Sequence, residues 1–117
     1  MSRLAGKRIL LVEDEFLIAD LTASILEEFS AHVVGPAYDL AQGLKLAESD
    51  DLDGAVLDIN LGRDRSDAIA ELLDRRGVPY VFVTGYAGLA AYANSAPMIE
   101  KPLDAQRLRS ALEQVLG

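Results

Sequence analysis

Apolar residues along the chain follow two rhythms that alternate. Ile9-Leu10-Leu11-Val12 is an unbroken apolar run, and it predicts a strand over Lys7 to Glu13 that is covered on both faces. Asp14 or Glu15 opens a helix, and Leu17, Ile18, Leu21, Ile25 and Phe29 recur at helical spacing as its expected core face. His32 to Ala37 reads as a second strand centred on Val33 and Val34. Asp39 caps the next helix, with Leu40, Leu44 and Ala47 on its apolar face, and Ser49 to Gly54 is a polar loop. Ala55 to Ile59 is a third strand and Leu61 to Arg65 a loop. Ser66 or Asp67 caps a helix carrying Ile69, Leu72 and Leu73, which stops near Arg76-Gly77. Pro79 leads into a fourth strand, Tyr80 to Thr84. A flexible turn, Gly85 to Gly88, precedes a short alanine-rich helix. Pro97 to Glu100 is a short fifth strand, Asp104 caps the last helix, and Leu108, Ala111, Leu112 and Val115 face the core.

Strict alternation of strands and helices implies a parallel sheet with helices on both faces. Right-handed crossovers leave few topologies. The expected fold is therefore α/β, a flavodoxin-like three-layer sandwich of five βα units with strand order 2-1-3-4-5. A chain of 117 residues fits one such domain. No internal repeat or linker interrupts it, so residues 1–117 are expected to form a single domain with no output domain attached.

Charge narrows the partners. With 19 acidic and 11 basic residues the net charge is -8, which argues against nucleic acid, since that binding depends on neutralising phosphates. A cation or a basic partner surface fits the balance better. The chain has no cysteine, which excludes disulfides, thiolate metal sites and cysteine nucleophiles. Arg3, Lys7 and Arg8 precede an apolar run too short for a signal peptide, and no run approaches the ~18 residues a membrane span needs. The expectation is a cytoplasmic protein with no membrane insertion.

In sheets of this kind ligands bind beyond the carboxyl ends of the strands. Strand one ends in Glu13-Asp14, strand three in Asp58 and strand four in Thr84, and Lys101 follows strand five. Three clustered carboxylates repel one another, and a hard divalent cation relieves that repulsion. Oxygen ligands of this kind suit Mg²⁺, with Mn²⁺ as an alternative. A lysine and a threonine hydroxyl opposite the metal would take the remaining oxygens of a phosphoryl group. Phosphoryl transfer is mostly positioning and charge neutralisation, and this edge supplies both. With no Ser, Cys or His on the edge, the acceptor is expected to be a carboxylate, and Asp58 at the end of the central strand is the best placed.

These residues resemble those of response-regulator receiver domains, the phosphoacceptor modules of bacterial two-component signalling. The resemblance rests on Leu11-Val12-Glu13-Asp14-Glu15, Leu57-Asp58-Ile59-Asn60-Leu61, Val83-Thr84-Gly85 and Glu100-Lys101-Pro102-Leu103, in that order, and it covers essentially the whole chain. It implies that Glu13 and Asp14 are the acidic pair holding Mg²⁺, that Asp58 accepts the phosphoryl group, and that the Asn60 backbone carbonyl completes the metal shell. It implies that Thr84 and Lys101 contact the phosphoryl oxygens, and that the bond before Pro102 is cis. Two positions depart from the common pattern. Glu13 stands where many receivers have aspartate, which keeps the charge and lengthens the reach. Met98 stands where many have the aromatic partner of a threonine-coupled switch. Phe82-Val83-Thr84-Gly85-Tyr86 resembles a stand-alone receiver subset with a Thr-Gly-Tyr signature, in which the loop with Gly85 and Gly88 as pivots reorganises. By the same resemblance, Asn60 and Tyr86 tune the lifetime of the mark.

The implied function is a single-domain response regulator rather than an enzyme acting on other molecules. A sensor histidine kinase or histidine phosphotransfer protein supplies the phosphoryl group, and a separate downstream protein reads the result. Two other classes compete. A receiver-like docking module would work without phosphorylation, but such modules usually lose the acceptor or the lysine. A phosphohydrolase of the aspartyl-phosphate type would carry a second Asp where this chain has Asn60. Individually, the acids could be helix caps, Thr84 a cap and Lys101 a solvated charge. Their convergence on one edge is what those separate readings fail to explain. His32, at the opposite end of the sheet, is expected to be an ordinary surface residue. Arg63, Arg65, Arg75 and Arg76 are expected to form a solvated helix flank, and Met98 to fill a gap in the packing.

Overall fold

The computed structural model describes residues 3–49, 51–85, 97–100 and 104–116. Strand β1 (Arg8–Val12) leads to helix α1 (Phe16–Glu28), β2 (His32–Ala37), α2 (Leu40–Ser49) and β3 (Gly54–Asp58). A small hairpin follows, β4 (Asn60–Leu61) and β5 (Asp64–Arg65), then α3 (Asp67–Arg76), β6 (Tyr80–Thr84), β7 (Met98–Glu100) and α4 (Ala105–Leu116). The main sheet has the order β2-β1-β3-β6-β7 with every pairing parallel, which is the expected 2-1-3-4-5 arrangement once the hairpin strands are set aside. The expected alanine-rich helix lies outside the described residues.

Alternation along the strands divides the interior into two layers. Leu10, Val12, Ala55, Leu57, Tyr80 and Phe82 pack on one face with Ile69 and Leu73 of α3 and Ala47 of α2. Ile9, Leu11, Val56, Val81, Val83 and Ile99 pack on the other with Ile25 and Leu26 of α1 and Leu108 and Leu112 of α4. Every residue of β3 and β6 is buried, so the two central strands have no solvated face. Two expected caps are made. Asp39 accepts from the Gln42 N–H at 2.8 Å, and Asp104 accepts from the Gln106 and Arg107 N–H groups at 2.8 and 3.2 Å. Gly77 ends α3 in the left-handed conformation. At the start of α3, Ser66 occupies the cap position with no side-chain bond to the helix.

Two expectations need correction. Leu17 and Leu21 do not face the core. They are 83% and 46% exposed, and α1 instead buries Ala19, Thr22, Ile25 and Leu26. On that line the Thr22 hydroxyl is satisfied by donating to the Ile18 carbonyl at 2.7 Å. The segment from Leu61 to Arg65 is not a plain loop but part of the β4–β5 hairpin, paired Asn60 to Arg65 and Leu61 to Asp64. Arg63, Arg65, Arg75 and Arg76 are exposed, as expected, and the Arg76 guanidinium also donates to the Ala47 carbonyl and ties α3 to α2. His32 is exposed, as expected.

Gly35 lies in the edge strand at φ +109, just before a cis bond to Pro36. A Cβ there would stand 2.8 Å from the Ala37 nitrogen and 2.9 Å from the Leu11 carbonyl oxygen, both backbone atoms that cannot yield cheaply. Gly35→Ala is therefore expected to cost roughly 1–3 kcal/mol, read as a lowered denaturant midpoint with unchanged m-value.

Candidate functional site

Sheet register assembles the acidic edge. Val12 lies beside Leu57 and Asp58 beside Val83, so Glu13 and Thr84 continue the strands on either side of Asp58. Glu13 follows the parity of Ile9 and Leu11, and Asp58 that of Val56, which sends both side chains to the α1 face of the sheet. Both line a small cavity under α1 together with Ile18 and Thr22. The Glu13 N–H donates to the Ala37 carbonyl at 2.9 Å and the Ile59 N–H to the Val83 carbonyl at 3.1 Å, so the ladder holds the backbone beyond both strand ends.

Carboxylate oxygens of Glu13, Asp14 and Asp58 lie within 4.8 Å of one another. Glu13 and Asp58 are only 3% and 5% exposed, and Asp14 is half-buried at the mouth. Burial pushes the Asp14 carboxyl above the usual aspartate value, and its hydrogen bond to Asp58 and the charge of Asp58 push it further in the same direction. The Gly62 N–H, 2.9 Å from Asp14 Oδ2, opposes that shift. The Asn60 N–H donates to Asp58 Oδ1 at 3.2 Å. Hard oxygen donors crowded this closely, one of them driven toward its neutral form, make a donor set that fits a divalent cation such as Mg²⁺.

Thr84 ends β6 and is 1% exposed. Gly85 is exposed with open space around its Cα. Met98 pairs with Phe82 across β6 and β7 and packs, partly buried, on the Tyr80–Phe82 side of the sheet. Tyr86, Gly88, Lys101 and Pro102, which the sequence reading also assigned to the site, lie outside the described residues. The structure adds one residue that reading missed, Gly62. A glycine between two short polar segments right after the acceptor strand was the signal available for a tight hairpin there.

Residues 9–113 match the response regulator receiver domain, and the chain belongs to that family. It is 31% identical over 113 residues to the transcriptional regulatory protein PdtaR of Mycobacterium tuberculosis, an alignment covering 92% of this chain and 55% of that protein. The chain thus spans about half the length of the curated relatives it matches. Among solved structures it resembles a CheY-like receiver domain protein from Methanospirillum hungatei, with TM-score 0.82, 28% identity, and coverage of 96% of this chain and 94% of that one. It also shares its fold with the receiver domain of a Pseudomonas aeruginosa sensor histidine kinase, whose crystal structure has a magnesium ion in the active-site cleft. That likeness has TM-score 0.83, 23% identity, and coverage of 97% of this chain and 99% of that one. Among the described residues no helix is long and apolar enough to cross a membrane.

The raised Asp14 value fixes the sign of a pH effect. The folded carboxyl holds its proton more tightly than the unfolded chain does. Its contribution to stability is therefore present below the ordinary aspartate range and is lost as pH rises through the folded value. Without divalent cation at neutral pH, Asp14→Asn is expected to raise the thermal midpoint, by about 4 °C for each kcal/mol of repulsion relieved. Added Mg²⁺ is expected to raise the wild-type midpoint and leave the variant nearly unmoved, as followed by calorimetry.

Proposed function

We propose that this domain is a phosphoacceptor switch in which Asp58 takes a phosphoryl group from a phosphohistidine, with Mg²⁺ held by Glu13, Asp14, Asp58 and the Asn60 carbonyl. The observation that carries the reading is the convergence of three carboxylates at the carboxyl end of a parallel sheet, with the buried Thr84 on the neighbouring strand. A carboxylate oxygen of Asp58 attacks phosphorus. The P–N bond of the phosphoimidazole breaks, its electron pair goes to the ring nitrogen, and the imidazole leaves neutral when its other nitrogen is protonated. Bound Mg²⁺ supplies charge neutralisation for the phosphoryl oxygens. Asn60 orients the acceptor through its N–H, and Thr84 and Lys101 contact the transferred oxygens, the role their family positions imply. Water attack on phosphorus later breaks the P–O bond to Asp58, returns the carboxylate and releases inorganic phosphate.

The donor is a histidine kinase or phosphotransfer protein. Phe16 and Leu17 at the start of α1 and Leu21 one turn on are exposed, Phe16 edge-on to Tyr38 at 4.6 Å. Exposed apolar side chains on the helix that follows the acidic pair suit an apolar surface on the donor. Phosphorylation adds charge and acceptor oxygens at one end of the sheet. The population shift it drives is read by a separate protein, and the open groove between β7 and α4, lined by Met98, Gln106, Arg107 and Ser110 among others, is a candidate surface for that reading. In this reading the domain is cytoplasmic and catalyses only its own phosphorylation and dephosphorylation.

Intact mass after incubation with acetyl phosphate tests the chemistry. The expected result is a gain of one phosphoryl group that requires Mg²⁺ and disappears in Asp58→Ala. A gain that persists in Asp58→Ala overturns the acceptor assignment.

A further inference from the structure

The β4–β5 hairpin touches the acidic pocket at two points. At its base the Asn60 N–H donates to Asp58 Oδ1, and at its tip the Gly62 N–H donates to Asp14 Oδ2. We infer that this hairpin is a backbone clamp presetting the pocket for its cation, with Gly62 as a positioning residue for Asp14. The inference rests on the metal-pocket reading above and assigns to the hairpin a part that family position alone does not.

Several observations make the clamp rigid. Ile59 and Leu61 are buried, and Leu61 packs in the core between the sheet and α2 and α3. The Ser66 N–H donates to the Ile59 carbonyl at 2.9 Å and closes the hairpin base. The Arg65 guanidinium meets the Asp67 carboxylate at 3.0 Å beyond the second strand. Between these anchors the turn has only two residues, Gly62 and Arg63, with Gly62 at φ +65. A positive φ at the first turn position is the pattern of a type II′ hairpin, which glycine adopts without strain. This backbone aims the Gly62 N–H at Asp14.

The same bond answers an electrostatic need. Asp14 and Asp58 repel, and a carboxylate free to rotate would turn away from its neighbour and scatter the donor set. An N–H fixed by backbone geometry holds one oxygen of Asp14 and favours its charged form. Partners that orient metal ligands in this way are commonly worth 10–100-fold in metal affinity.

Gly62 is well suited to a clean test. A Cβ there would meet nothing within 4 Å, so a side chain adds no clash and acts only through the backbone. Gly62→Ala is expected to weaken Mg²⁺ binding about tenfold, measured by NMR titration. Arg63→Ala, beside it in the same turn, is expected to bind as wild type. In the wild-type protein the Gly62 amide resonance is expected to move on Mg²⁺ addition with the same dissociation constant as the Asp14 amide. At saturating Mg²⁺, Gly62→Ala is expected still to gain one phosphoryl group from acetyl phosphate. Wild-type affinity in folded Gly62→Ala, an equal loss in Arg63→Ala, or a Gly62 amide indifferent to Mg²⁺ overturns the clamp and leaves the pocket reading standing. A wild-type protein that neither binds Mg²⁺ nor takes a phosphoryl group overturns both.

Discussion

Mutual repulsion among Glu13, Asp14 and Asp58 is the constraint around which the site is organised. Their oxygens crowd within 4.8 Å, two of the three side chains are nearly closed off from water, and the third is pushed toward its protonated form. A fold selected for stability alone has no reason to hold such a cluster. Burial on both faces of β3 and β6 leaves polar chemistry only one place to sit, beyond the carboxyl ends of the strands. The two sheet-centred cores hold the strand ends in register so that the acids cannot spread apart. Stability stored in the cores is set against a local instability at the edge, and that instability is what a cation or a phosphoryl group can act on.

Backbone groups supply much of the positioning. The Ile59 N–H ties the chain after Asp58 to β6, the Asn60 N–H holds Asp58, and the Gly62 N–H holds Asp14. Main-chain donors lose no side-chain entropy when they are fixed, so they restrain carboxylates at low cost. This matters most where the ligand changes during the cycle. A pocket that passes from metal alone to metal with a phosphoryl group and back needs donors that keep their places while the charges are exchanged.

The strand order and nearly all element positions were legible in the sequence because the signals there are physical and local. Unbroken apolar runs mark doubly covered strands, and Asp39, Asp104 and Gly77 mark helix ends. The acidic cluster was legible because strand ends converge whatever lies between them. Two things were not. The buried face of α1 is ambiguous in the sequence, since Leu17 and Leu21 fit the helical period as well as the true buried line does. Periodicity records apolar spacing and does not distinguish a core face from a surface face when both are apolar. The hairpin after Asp58 leaves little trace in the sequence because strands of two residues give almost no alternation to detect, and Gly62 reaches Asp14 only through a bond across 48 positions of sequence.

The ambiguous face of α1 bears on specificity. The pocket itself is built from common parts, three acids and backbone N–H groups, and under the proposed function nothing in that set would distinguish one phosphohistidine from another. Under that proposal, discrimination between donors would come from surface that the donor covers while its imidazole reaches Asp58. Exposed apolar side chains elsewhere on a domain of this size need no explanation singly, but Phe16, Leu17 and Leu21 lie within two turns at the start of the helix that follows the acidic pair. Burying them in the core would have gained stability, and leaving them outside gives up that gain. A contact that forms only with the right partner would recover it at the moment of the proposed transfer, with partner choice on the helix and the chemistry on the sheet edge.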